Sequence, residues 1–76
     1  MNLYIVDHFI PFPQSEYGGV WNVLASDEEE CFDLITDADD NQFPEYYGKL
    51  RSNITNSAKY TVVGTVDPKV VTSFLT

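Results

Sequence analysis

The segment Ser26-Asp27-Glu28-Glu29-Glu30-Cys31-Phe32-Asp33-Leu34-Ile35-Thr36-Asp37 does most to restrict what this chain can fold into. Ser26 followed three residues later by Glu29 fits a capping box, in which each side chain satisfies a backbone N–H that the first helical turn leaves open. Wound at about 100° per residue, Cys31, Phe32, Leu34 and Ile35 fall within an arc of about 160°. Glu29, Glu30, Asp33 and Asp37 occupy the opposite arc. The pattern predicts an amphipathic helix over roughly residues 27–37, with one face that must be buried and an outer face that is almost wholly acidic.

The flanking segments predict what that helix covers. Residues 2–10 are rich in Leu, Tyr, Ile, Val and Phe and predict a first strand. Pro11, Pro13, Gly18 and Gly19 make the following stretch a loop or wide hairpin turn. Residues 20–25 then predict a second strand, antiparallel to the first because the two are close in sequence. Residues 60–66 and 70–75 predict two more strands, separated by a turn at Asp67-Pro68. Between helix and third strand the reading stays open. Pro44 suits the start of a short helix through Arg51, Gly48 weakens it, and Asn53, Asn56 and Ser57 favour loop. With 76 residues the chain is one domain, residues 1–76, because cores of this size do not divide. The expected architecture is α+β: a small β-β-α-β-β domain, with an antiparallel sheet covered on one face by the acidic amphipathic helix.

Charge narrows the function. Twelve acidic residues against four basic ones give a net charge of −8. The distribution is uneven, with eleven acids and no Lys or Arg in residues 1–48, and one acid and four bases in residues 49–76. A chain of this balance does not bind nucleic acid through its phosphates, which requires clustered Lys and Arg. A hydrophobic content of 43% argues that the charge sits on a folded domain rather than a tail. Asp27, Glu28 and Glu29 complement the helix dipole in the first turn. That reason does not extend to Glu30, Asp33, Asp37, Asp39 and Asp40. Six carboxylates along a helix of about 16 Å, about one per 2.7 Å, lie between the charge density of a single nucleic-acid strand and that of a duplex.

Other chemistries fit less well. Cys31 falls on the apolar helix face, where a thiol is a small core hydrophobe rather than an activated nucleophile, so a pair with the single histidine, His8, is a poor catalytic candidate. One His and one Cys do not make a zinc site. Asp37, Asp39 and Asn41 match the first ligand positions of an EF-hand loop, but Gln42 and Gly48 stand where Gly and Glu are required. The Asn53-Ile54-Thr55 sequon carries no weight without a secretory signal. The first residues lack the basic region and long apolar core of such a signal, no apolar run reaches membrane-span length, and a lone cysteine suits a reducing compartment. The expected location is the cytoplasm, with no cofactor and no enzymatic activity.

The layout Leu3-Tyr4-Ile5-Val6, Val23-Leu24-Ala25-Ser26-Asp27-Glu28-Glu29-Glu30, Val63-Gly64-Thr65 and Val70-Val71-Thr72-Ser73-Phe74 resembles small phage-encoded proteins of β-β-α-β-β plan. By size and charge the chain is also similar to phage inhibitors of host defence, among them anti-CRISPR proteins and other DNA mimics. The resemblance implies a function class, and no residue carries over by motif. The residues themselves suggest a partner-binding surface of Glu29, Glu30, Asp33, Asp37, Asp39 and Asp40 standing in for phosphates, with Tyr46 and Tyr47 adding packing. The expected partner is a basic nucleic-acid-binding protein of the host, such as a CRISPR effector or a nuclease, met by a monomer or dimer. Alternatives are an immunity protein or antitoxin against a basic toxin, and a weak divalent-cation-binding or small catalytic protein.

Overall fold

The computed structural model describes residues 1–8, 19–39 and 44–75. Four strands, β1 (Asn2–His8), β2 (Gly19–Ala25), β3 (Ala58–Thr61) and β4 (Lys69–Leu75), form one antiparallel sheet in the order β3-β1-β2-β4. Two helices, α1 (Glu28–Ala38) and α2 (Tyr47–Thr55, preceded by a 3-10 turn at Pro44–Tyr46), pack on one face of it. The fold is α+β, as the sequence predicts. The cover consists of two helices side by side, α1 over β2 and α2 over β1.

Strand alternation sets the core. In β1, Tyr4, Val6 and His8 point toward the helices; in β2, Trp21, Val23 and Ala25 do the same. Each helix supplies two buried residues one turn apart, Cys31 and Ile35 from α1, Leu50 and Ile54 from α2. Phe32, Leu34, Tyr47 and Val70 close the rim. The β1–β2 pairing runs in unbroken register from Asn2↔Ala25 to His8↔Gly19. Residues 9–18, on which the predicted hairpin loop and the end of the first strand fall, lie outside the described residues.

Three boundaries differ from expectation, each for a local reason. The cap of α1 is Asp27 rather than Ser26. Asp27 Oδ1 accepts the Glu30 N–H at 2.8 Å, and Glu30 Oε1 accepts from Ser26 N–H at 2.7 Å and Ser26 Oγ–H at 2.9 Å. A carboxylate is a stronger acceptor than a hydroxyl for these open donors, and the box shifts by one residue. Next, α2 runs through Asn53, which the sequence assigns to loop. Its side chain is used: Asn53 Nδ2 donates to the Asp7 carbonyl at 2.9 Å. The helix ends where Ser57 Oγ–H donates to Ile54 O at 2.7 Å and Lys59 Nζ donates to Thr55 O at 2.8 Å, a cation on the negative end of the dipole.

Last, the predicted strand over 60–66 stops at Thr61. β3 and β4 lie at opposite edges, so residues 62–68 must cross the width of the sheet instead of continuing in it. Gly64 turns within that crossing at φ 113°, a left-handed conformation that favours glycine. β4 then pairs with β2 through a β-bulge opposite Asn22 and Val23, which takes Val71 out of register. Among the described residues no helix is long and apolar enough to cross a membrane.

Candidate acidic interface

Folding assigns the carboxylates of residues 27–40 to different jobs. Asp27 and Glu30 cap α1, as above. Glu28 and Glu29 face the neighbouring helix: Thr55 Oγ–H donates to Glu28 Oε1 at 2.7 Å, and Arg51 holds Glu29 through Nη1 at 2.8 Å and Nη2 at 3.4 Å. The Arg51 guanidinium lies 3.7 Å from the centre of the Phe32 ring, and Tyr47 meets the same ring edge-on at 5.6 Å. Bonding to Arg51, and its charge, lower the Glu29 pKa; the bond to Glu29 raises that of Arg51. A cleft of about 230 Å³ between the helices is lined by Glu28, Glu29, Phe32, Arg51, Ile54 and Thr55. Its Glu28, Glu29, Arg51 and Thr55 side chains bond one another across it.

Asp39 corrects the sequence reading most clearly. It is the C-cap of α1, with its N–H bonded to Ile35 O at 2.9 Å, and its carboxylate turns inward. Asp39 Oδ2 lies 2.9 Å from His8 Nε2, with both residues buried. It therefore leaves the set of surface phosphate surrogates, because a carboxylate enclosed with an imidazole cannot be presented to a partner groove. Trp21 packs beside this pair, its ring 6.0 Å from that of His8, and its buried Nε1 has no hydrogen-bond partner among the described residues. The His8–Asp39 contact was not found from the sequence. The signal for it is the alternation that puts His8 on the Tyr4–Val6 face, since a buried histidine requires a polar partner.

Asp33 and Asp37 remain as the exposed acids of the outer face, one helical turn apart, and no Lys or Arg forms an ion pair with either among the described residues. Asp40 lies outside the described residues. Tyr46 and Tyr47 are half-buried; Tyr47 spends its ring on Phe32, and burial, Asp39 and Glu45 raise the pKa of its hydroxyl. Of the eight residues proposed from the sequence, the structure aligns Glu29, Asp33 and Asp37 as a stripe at i, i+4 and i+8, rising about 6 Å per step.

For nucleophilic chemistry, Cys31 is enclosed in the core, and burial pushes its thiol up to about 12. Among the described residues no three His, Cys, Asp or Glu side chains gather as a metal site. No protein-family model matches the chain, and neither the curated proteins nor the solved structures yield a match.

Proposed function

We propose that this protein is a non-enzymatic inhibitor that docks the acidic outer face of α1 into a positively charged nucleic-acid groove on a host nuclease or CRISPR effector complex. The observation that carries the reading is the pair Asp33 and Asp37. Both are exposed, both lie on the outer face, and they repel each other at i and i+4. Asp37 also sits at the negative end of the helix dipole, so its position works against the helix. Local stability does not account for charge placed there, whereas recognition of a cationic surface does. Around this pair the field of a chain at −8 steers association and makes it dependent on salt.

Glu30 must be left intact because it closes the α1 cap, so a variant at that position would confound binding with folding. The test is the double variant Asp33→Lys, Asp37→Lys, compared with the parent chain for inhibition of DNA cleavage by a captured basic nuclease or effector complex. Loss of inhibition with an unchanged circular dichroism spectrum is the expected result. Undiminished inhibition by the folded variant overturns the reading.

A further inference from the structure

The Arg51 guanidinium is held on α1 by two kinds of contact at once. Glu29 accepts from Nη1 at 2.8 Å and from Nη2 at 3.4 Å, and the guanidinium carbon stands 3.7 Å from the centre of the Phe32 ring. Tyr47 meets that ring edge-on at 5.6 Å and helps to fix its tilt. A forked donor on a carboxylate, with its flat cation over a π-face, suits a guanidinium better than an ammonium, which has neither fork nor plane.

Arg51 is loosely kept there. Its side chain is 52% exposed and that of Glu29 65%, at the rim of the interhelical cleft. An ion pair this open to solvent is weak, and the tether to α2 is what keeps the arginine at high local concentration. Nor does Arg51 neutralise its surroundings. Bonding to Glu29, then the charges of Glu29 and Asp33, raise its pKa, and Glu28 lines the same cleft, so three carboxylates stand around one cation. Asp33 also lies one turn beyond Glu29 on α1, which makes this spot continuous with the exposed acidic face.

We infer that Glu29 and the face of Phe32 form a guanidinium seat, which Arg51 fills in the free chain and an arginine side chain of the basic partner takes over on docking. The inference deepens the inhibitor reading and rests on it for the partner. Docking then replaces one guanidinium by another at Glu29 and releases Arg51 to solvent, so no charge is left unpaired in the interface. The contact that the partner makes at this end of the acidic face is an arginine rather than a lysine.

Calorimetric titration with nona-arginine and nona-lysine peptides at about 0.15 M salt tests the seat without the partner. The parent chain should bind nona-arginine more tightly than nona-lysine. Arg51→Ala should tighten nona-arginine by about threefold to tenfold, and nona-lysine by less. Lys49→Ala removes the same charge from the other side of α2, about 200° around the helix, and should raise both affinities slightly and equally. Phe32→Leu added to Arg51→Ala should erase the arginine preference. Thermal unfolding of each variant checks the fold, and in the parent chain nona-arginine should move the ring resonances of Phe32 and Tyr47 without any mutation. Equal gains from Arg51→Ala and Lys49→Ala, no preference for arginine, or an unmoved Phe32 ring each overturn the proposal. The inhibitor reading fails separately, through undiminished inhibition by Asp33→Lys, Asp37→Lys, a result that the peptide titrations do not depend on.

Discussion

His8 and Asp39, separated by 31 residues, meet at 2.9 Å inside the protein and tie the end of β1 to the end of α1. Both residues are buried, so each supplies the hydrogen-bond partner that the other's polar group would otherwise lack in a site shielded from water. Trp21 shields the histidine ring from one side. The contact fixes where the last turn of α1 lies on the sheet, and hence the direction of the outer face that carries Asp33 and Asp37.

His8→Ala removes this bond from a buried carboxylate and opens a cavity at the sheet end. The expected loss is about 2–4 kcal/mol in urea-induced unfolding. Asp39→Ala should cost a similar amount, and the double variant should cost clearly less than the two losses added together. Simple additivity would show that the pair is not coupled.

Cys31 should be protected from thiol reagents. Its burial and its thiol, pushed up to about 12, leave almost no thiolate at neutral pH. Labelling with an aromatic disulfide reagent should be slow in buffer and rapid in denaturant. Fast labelling of the folded chain would contradict the packing of α1 on β2.

Arg51 has two roles and Glu29 one. Arg51→Ala breaks the ion pair and uncovers Phe32, while Glu29→Gln only weakens the pair, so the arginine variant should melt lower. Because the folded-state pKa of Glu29 is depressed, its contribution is present above the ordinary value of 4.5 and fades as pH falls through the lowered one. The melting difference between parent and Glu29→Gln should therefore shrink in acid. A difference that grows as pH falls would reverse this assignment.

Gly48 lies in the first turn of α2, and a Cβ placed there meets nothing within 4 Å. Gly48→Ala should raise stability by about 0.5–1 kcal/mol through the lost freedom of the unfolded chain. A destabilised variant would mean that the glycine serves a contact outside the helix.

Much of the scaffold was legible from local patterns. The apolar arc of Cys31, Phe32, Leu34 and Ile35 became the buried and rim positions of α1, because helical periodicity depends only on neighbours a turn away. The β1–β2 pair followed from proximity and alternation. Less legible was α2: Gly48, Asn53 and Thr55 have modest helix propensity, and what holds them is burial of Leu50 and Ile54 against β1 together with the Asn53 bond to Asp7.

The sequence by itself determined the net charge, the helix with its acidic side, and the α+β class, since each depends on composition or on residues near in the chain. Tertiary structure decided which carboxylates face outward. Glu29 was claimed at the surface by Arg51, 22 residues away, and Asp39 in the interior by His8, because the fold brings each of these partners within 3 Å. That selection is long-range. Among the described acids of the run, it leaves Asp33 and Asp37 exposed on α1 with neither a capping role nor an ion pair.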